Sequence, residues 1–381
     1  MQKHTFQCPN CSEDIKLRLE VDFEKIKTNL VFVENCERGD QEGTIINLHP
    51  DFAIDNSKLH SEYVFPFLDY VSTSRKDIFD KINPSSFKDQ KETKRSVVLI
   101  EEWENLKKSW SLLLNGQEDL AESIMNETSA ALDYDDKLAS VSYWIFLFSY
   151  RILNPTMLPL FFDANSHIID NLNEKNISEL ERFRKYYLEN LYHDHMERYF
   201  EIFSEYFSHY SEYSQLILYI KQNAQLYDNY TVSSNDFRQT KMFFGNAFEA
   251  LTSNFVVLAC LNNIINGRSY DKFVSMDLKK YLTINKANRA NPFKDVHSFN
   301  RLAECLDSSL RNASHHGSVK FNKKKKKIVY RSGGTGTEKS ITYTEYLMKC
   351  NRLLFSLAAL LMIELLLGNA DISPRHTNAH E

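Results

Sequence analysis

The scarcity of helix-breaking residues is the feature that most constrains this chain. Its 381 residues include only 10 Gly and 8 Pro. Gly and Pro interrupt helices, and collagen-like, loop-rich or low-complexity chains contain far more of them. The sequence therefore predicts a mainly α-helical globular protein, long enough for two or three domains and at least one sizeable core.

Local patterning divides the chain further. Short period-2 runs near the N-terminus are typical of strands, whereas apolar residues at helical spacing dominate the rest. The pattern predicts four parts: a small β-rich region with a CxxC knuckle (1–60), a helical, acidic middle region expected to sense or regulate (61–236), a helical bundle with an inserted β-hairpin (237–369), and a disordered tail (370–381).

Several elements can be placed within these parts. The predicted strands are residues 15–21, 29–35 and 43–49, and one long helical run spans Ile177 to about Ala224. In the C-terminal unit we expect helices at Lys241–Asn266, Lys294–Leu310 and Tyr343–Leu367, with two short strands around a Gly-rich turn before the last helix.

The charge is distributed unevenly. The whole chain has a net charge of −5, but residues 238–369 contain 21 Lys and Arg against 9 Asp and Glu, whereas the remainder contains 25 against 42. A basic C-terminal third can bind a polyanion such as a nucleic acid. The alternative is that the two parts attract each other across a domain contact.

The sequence pattern predicts neither a signal peptide nor a membrane-spanning helix. The first residues, MQKHTFQCPNC, lack an apolar core typical of a signal peptide. The most apolar stretch, Leu353–Leu367, includes Glu364 and is about 15 residues long, short of the roughly 18–20 that a spanning helix needs. We therefore expect a buried helix, no membrane association and a cytoplasmic protein.

One segment carries residues suited to chemistry. In Leu310-Arg-Asn-Ala-Ser-His-His-Gly317, an arginine and a polar residue are followed, after three spacers, by His316. Arg311, Asn312 and His316 match the motif of the HEPN-domain ribonucleases, which this segment resembles. A helix before the motif, Gly317 after it, and the following hairpin and apolar helix also match, so that the resemblance covers residues 238–369, about a third of the chain.

The resemblance implies a metal-independent endoribonuclease that needs no cofactor for catalysis. It also implies a homodimer or higher homo-oligomer, in which motifs from two protomers meet in one cleft. Many relatives are anti-phage toxins or abortive-infection effectors, so a defence role and a phage-derived trigger or regulatory partner are expected by analogy.

The residue types suit this chemistry. RNA supplies its own nucleophile, the 2′-OH, and the enzyme adds an acid, a base and a cation. Histidine titrates near neutral pH and can serve as acid or base, while arginine offers a charged fork for phosphate oxygens. Asn312 can hydrogen-bond to phosphate or fix neighbouring side chains.

The spacing alone is not specific. The same pattern recurs at Arg375-His-Thr-Asn-Ala-His380, in a polar tail with no apolar periodicity to hold it. On a helix, residues four apart share a face and residues five apart are about 140° apart. Helix geometry thus places His315, and not His316, on the face of Arg311. Because the family motif selects His316, we prefer His316 and keep His315 as the second choice. The alternative for the whole segment is a helix C-terminus, where Arg and His compensate the dipole and Gly caps.

Other basic residues flank the motif and are candidates for RNA binding, with a solvated hairpin arm as the alternative. They are Lys320, Lys323, Lys324, Lys325, Lys326, Lys327 and Arg331. Glu249, among the few acidic residues of this unit, could orient Arg311, but a plain surface glutamate is the favoured interpretation.

The N-terminal Cys8-Pro-Asn-Cys11 resembles half of a zinc ribbon, in which thiolates bind a structural metal. Cys36 is the remaining nearby cysteine, and His4, His49 or His60 would have to complete the site. The alternative is a vestigial knuckle without zinc. Cys260, Cys305 and Cys350 lie on apolar helical faces and are expected in the core.

The resemblance to the HEPN-domain ribonucleases therefore implies an endoribonuclease that cleaves RNA by 2′-OH attack, leaving a 2′,3′-cyclic phosphate, at a composite dimer site. A non-catalytic RNA- or nucleotide-binding adaptor, or an antitoxin-like partner in a toxin complex, is the alternative.

Overall fold

The described part of the chain is mainly helical, as predicted. The computed structural model describes residues 2–8, 11–22, 27–39, 54–55, 95–132, 140–153, 156–221, 230–232, 237–315, 319–322, 327–331 and 336–368. Within these residues, three small antiparallel sheets accompany the helices.

The described helices of the middle region follow one another with short connections. They are α1 (Arg95–Leu114), α2 (Glu118–Leu132), α3 (Val141–Leu153), α4 (Pro159–Asn171), α5 (Glu174–Asn190), α6 (Tyr192–Ser208) and α7 (Tyr210–Lys221). The predicted single run from Ile177 is thus three helices, because the chain leaves helical geometry at Leu191 and His209.

The C-terminal unit combines long helices with short ones. Its helices are α8 (Phe237–Asn254), α9 (Val256–Ile265), α10 (Leu278–Tyr281), α11 (His297–Asn300), α12 (Ser308–His315) and α13 (Tyr343–Gly368), with 3₁₀ turns at Lys286–Asn288, Asn291–Phe293 and Arg301–Ala303.

The predicted single helix at Lys294–Leu310 is wrong. The chain forms α11, a 3₁₀ turn and then the new helix α12. The side chain of Asp307 accepts a hydrogen bond from the backbone N–H of Leu310 (3.0 Å) and so caps the restart. Phe299, Leu302 and Leu310 still reach the core, so consecutive turns satisfy the same apolar spacing.

Helix α13 is the centre of the molecule. It packs against α3, α4, α6 and α7 of the middle region and against α8 of the C-terminal unit. Of its 26 residues, 20 are buried, which confirms the buried-helix prediction. Helices on both sides of residue 236 therefore share one hydrophobic cluster, and the predicted domain boundaries stay predictions.

Within the described part of the chain, two helical stretches are long and apolar enough to cross a membrane by composition, Phe237–Ile265 and Tyr343–Gly368. In each, 83% of the most apolar window is buried inside the protein. Their hydrophobicity is explained by the core that they build.

The predicted strands are found where the structure describes them. β2 (Asp14–Asp22) and β3 (Lys27–Glu34) pair antiparallel, and β1 (Gln2–Gln7) adds an unpredicted third strand. The predicted strand 43–49 lies outside the described residues. The two-residue strands β4 (Ile54–Asp55) and β5 (Tyr230–Thr231) pair with each other.

The inserted hairpin is also present. β7 (Lys327–Arg331) pairs antiparallel with β8 (Glu338–Thr342), and β6 (Lys320–Asn322) pairs with the other edge of β7. This small sheet connects α12 to α13, so it lies next to the Arg311 segment in sequence.

Candidate functional site

Helix α12 presents the Arg311 segment at the surface of the C-terminal unit. Leu310 and Ala313 are fully buried and anchor one face of this helix, which packs against α8. Arg311 and Asn312 consequently lie on the other side, where both side chains are only partly buried. The local sequence thus combines an apolar anchor with an outward arginine.

Arg311 forms an ion pair with Glu249 of α8, through Nη2 and Oε1. Its Nη1 donates a hydrogen bond to Oδ1 of Asn312 (2.7 Å). The arginine side chain is 26% exposed and the glutamate side chain is 28% exposed. The guanidinium is therefore oriented from two sides while part of it still reaches solvent.

This pair corrects the favoured interpretation of Glu249. The residue is not a plain surface glutamate, because it orients Arg311 across the interface between α8 and α12. The two residues are far apart in the chain, so the spacing of residues in the sequence could not predict that their side chains are in contact. The signal that could have identified the pair is the shortage of acidic residues in this unit.

Further polar residues surround the pair. One turn after Glu249, Ser253 donates to the Glu249 carbonyl (2.6 Å) and accepts a hydrogen bond from Nζ of Lys286. Arg198 of α6 donates to Oδ1 of Asn254 (3.1 Å), at the end of α8. We call Arg198, Glu249, Ser253, Lys286, Arg311 and Asn312 the Glu249 cluster.

The pKa of Lys286 reflects the charges of the cluster. Burial lowers the pKa of this lysine, and the positive charges of Arg289, Arg198 and Arg311 lower it further, against the opposing effect of Glu249. The cluster is therefore a positively charged environment in which one carboxylate does not balance its neighbours. Sequence reasoning missed Lys286 and Arg198, because only the tertiary fold brings them to Arg311.

The histidines are only partly placed. α12 ends at His315, whose side chain is not described, and His316 lies outside the described residues. Which of the two is closer to Arg311 in space stays a prediction. The expectation that helical geometry stops near Gly317 stays a prediction, because residues 316–318 lie outside the described part of the chain.

The predicted RNA-binding lysines are also partly placed. Lys320, Lys327 and Arg331 lie exposed on the small sheet, and Arg331 forms an ion pair with Glu338 (3.0 Å). Residues 323–326, which hold Lys323, Lys324, Lys325 and Lys326, are outside the described part, as is the control match at 375–380. The small sheet that carries these residues follows α12 in the chain.

The N-terminal cysteines flank the strands of the three-stranded sheet: Cys8 and Cys11 lie between β1 and β2 in the chain, and Cys36 follows β3. Cys8 and Cys36 are partly buried and Cys11 is exposed, and Sγ of Cys36 donates to the Lys16 carbonyl (3.3 Å). Among the described residues, no three Cys, His, Asp or Glu side chains come close enough to bind a metal. His49 and His60 lie outside those residues, so the zinc site stays a prediction.

The remaining cysteines behave as expected. Cys260, Cys305 and Cys350 are buried. Burial raises the pKa of the Cys305 thiol to about 11. Such thiols stay protonated near neutral pH and serve as core residues rather than nucleophiles.

A second polar cluster is fully buried. Glu364 of α13 accepts hydrogen bonds from the hydroxyls of Tyr187 and Tyr199 (both 2.8 Å), and its Oε2 lies 2.8 Å from Nδ1 of His195. Glu364 is completely inaccessible to solvent. It joins α5 and α6 to the central helix and offers no route to a substrate.

Comparison with known proteins gives no relative. No family model, no curated protein and no solved structure matches the chain. The features of this protein that bear on function are therefore the geometry of the Glu249 cluster and the positive charge of the C-terminal unit.

Proposed function

We propose that this protein is a metal-independent endoribonuclease of the HEPN type, with residues 237–369 as the nuclease bundle. The observation that carries the proposal is the partly exposed Arg311, held between Glu249 and Asn312 in a positively charged cluster. A guanidinium fixed in this way suits the binding of a phosphate group whose charge increases during reaction.

The chemistry requires few groups. The 2′-oxygen of one nucleotide attacks the adjacent phosphorus, its proton passes to a base, and the bond to the 5′-oxygen breaks as that oxygen takes a proton from an acid. His316, with His315 as second choice, supplies the acid and base roles, and a two-fold dimer brings a second histidine. Arg311 stabilises the charge on the phosphate oxygens.

Single-stranded or looped RNA is the proposed substrate, because unstacked nucleotides let the 2′-OH align with the bond that breaks. The product carries a 2′,3′-cyclic phosphate. By analogy with the family that the motif resembles, the biological role is anti-phage defence by abortive infection, with the acidic middle region restraining or triggering the nuclease.

The test is cleavage of end-labelled single-stranded RNA in EDTA by the full chain. We expect wild type to cleave, with a loss of about 100-fold or more in Arg311→Ala and in His316→Ala. Arg375→Ala, in the matching tail pattern, is the matched control and should cleave like wild type. His315→Ala decides between the two histidines.

Two results would overturn the proposal. Equal cleavage by wild type and Arg311→Ala would place any activity elsewhere. Intact wild-type oligomers that bind RNA without cleaving it would favour the non-catalytic adaptor. Expression in cells provides a second readout, since wild type but not Arg311→Ala should slow growth.

A further inference from the structure

The Glu249 cluster extends well beyond the segment that resembles a known family motif. Three separate parts of the chain meet at one stretch of α8: α12 with Arg311, the turn at Lys286–Asn288, and α6 with Arg198. Arg198 belongs to the acidic middle region, outside residues 238–369. A site that uses it is therefore shared between the two parts of the molecule.

The charges of this cluster are not balanced. Glu249 is the carboxylate between Arg311 and Lys286, and it forms its ion pair with Arg311. Arg198 has Asp194 for a neighbour at 3.9 Å, but that aspartate is two-thirds exposed to water. Exposed pairs of this kind are screened and weak. Three cations thus lie around one partly buried carboxylate.

The three cations remain open to a ligand. The Arg198 side chain is 35% exposed, Arg311 is 26% exposed, and Lys286 is partly buried. Nζ of Lys286 is held by Ser253 rather than by a carboxylate. A neutral hydroxyl positions the ammonium without cancelling its charge, which leaves it available for an anion.

A fourth cation, Arg289, acts on Lys286 of the cluster by charge repulsion. Arg289 is buried, and its guanidinium donates to the carbonyls of Leu282 (2.5 Å) and Ile284 (3.3 Å). It also lies over the Tyr281 ring, 5.0 Å from the ring centre. These interactions fix the loop that carries Lys286, and the arginine adds positive potential without reaching the surface.

We propose that Lys286 and Arg198 form a phosphate-binding surface next to Arg311, which holds the RNA backbone beside the phosphate at which cleavage occurs. This inference rests on the proposed function, because it assigns the residues that bind the substrate at that same site. The cations bind phosphate oxygens and not bases, so this surface binds without sequence preference.

Binding can be measured separately from cleavage. A fluorescein-labelled, fully 2′-O-methylated 12-nucleotide strand lacks the attacking hydroxyl, so it binds without being cut. Its affinity for the full chain is measured by anisotropy in EDTA over a series of salt concentrations. The variants are Lys286→Gln and Arg198→Gln, with Lys279→Gln as control, an exposed lysine on α10 of the same segment.

We expect each of the two cluster variants to bind several-fold more weakly at low salt. For each phosphate that is no longer neutralised by a cation, the slope of log K against log salt should become shallower by about 0.7. Lys279→Gln should match wild type in both quantities. Lys286→Arg keeps the charge and should retain affinity, which separates the removal of a charge from a folding defect.

This inference would be overturned if Lys286→Gln and Arg198→Gln bound the strand with the affinity of wild type and with the same slope of log K against log salt. The ribonuclease proposal would still stand if Arg311→Ala abolished cleavage of unmodified RNA. Conversely, weakened binding in both variants without any cleavage by wild type would support the phosphate surface and remove the catalytic proposal. The binding assay and the cleavage assay therefore test the two proposals independently.

Discussion

Two glutamates of the C-terminal unit have surroundings that differ in kind: Glu364 joins this unit to the middle region, whereas Glu249 joins α8 to α12. Glu364 is fully buried and contacts neutral or titratable donors, the hydroxyls of Tyr187 and Tyr199 and the ring of His195. Glu249 is partly exposed and lies among permanent or near-permanent cations, with Arg311 as its direct partner.

The difference separates a structural role from a functional one. A buried carboxylate that is hydrogen-bonded to side chains of the core stabilises the packing of helices and is not accessible to a ligand. Glu249 is a partly exposed carboxylate, and the positive charge around it exceeds its own negative charge. The positive charge that it does not neutralise can attract an anion. The same residue type thus stabilises the fold at one place and orients a binding group at the other.

The largest effect is expected at the buried cluster. Glu364→Leu leaves two tyrosine hydroxyls and His195 without their acceptor in the core, and each such loss costs about 1–3 kcal/mol. The free energy of unfolding, measured by chemical denaturation, should fall by about 3 kcal/mol or more. The variant should also lose RNA binding only to the extent that it unfolds.

The matched control is Glu189→Leu, at an exposed glutamate near the end of α5, for which a change within about 0.5 kcal/mol is expected. Glu364→Gln keeps one acceptor oxygen and should fall between the two. Glu364→Leu as stable as wild type would contradict the structural role of this cluster.

A smaller effect, on rate rather than stability, is expected at Glu249. Glu249→Gln removes the charge that orients Arg311, so we expect cleavage in EDTA to slow by about tenfold, mostly in kcat, because misplacing a reacting group is costly. Stability should change by less than about 1 kcal/mol, as for other partly exposed ion pairs.

The double variant shows whether the two residues act together. Arg311→Ala with Glu249→Gln should cleave no more slowly than Arg311→Ala alone, since Glu249 acts through the arginine. Glu249→Asp should recover part of the rate. Independent, multiplying losses would show that Glu249 has a separate role.

The smallest effect concerns pH. The pKa of Lys286 is lowered by burial and by the charges of Arg289, Arg198 and Arg311, so this lysine loses its proton at a lower pH than an ordinary lysine, whose pKa is about 10.4. Only the protonated form attracts phosphate. Affinity for the 2′-O-methylated strand should therefore fall as pH rises through that lowered pKa, by at most the few-fold decrease expected for Lys286→Gln.

Lys286→Arg provides the comparison, because an arginine stays charged throughout this range. Its affinity should hold at alkaline pH where that of wild type declines. Parallel pH profiles for wild type and Lys286→Arg would show that Lys286 does not contribute its charge to binding.

Local signals were sufficient for much of the fold. The apolar run of α13, and the strand pattern around a Gly-rich turn that gives β7 and β8, are visible in sequence because each depends on residues close in the chain. The helix expected at Lys294–Leu310 was wrong because short turns with the same spacing bury the same residues, and Asp307 caps a new start.

The candidate site shows where such reasoning stops. Arg311 and Asn312 could be selected from a local motif and its context. The partnership of Arg311 with Glu249, and the approach of Lys286 and Arg198, depend on how α6, α8 and α12 pack, and spacing along the chain does not encode that. Long-range ion pairs need the tertiary structure.

The most direct test of the account compares two strands of the same sequence in EDTA, one of RNA and one fully 2′-O-methylated, incubated with wild type and with Arg311→Ala. We predict that wild type cleaves only the RNA strand and leaves 2′,3′-cyclic phosphate ends, and that Arg311→Ala cleaves the RNA strand about 100-fold or more slowly. Cleavage of the methylated strand by wild type, or cleavage of RNA by Arg311→Ala at the wild-type rate, would contradict a metal-free ribonuclease centred on Arg311.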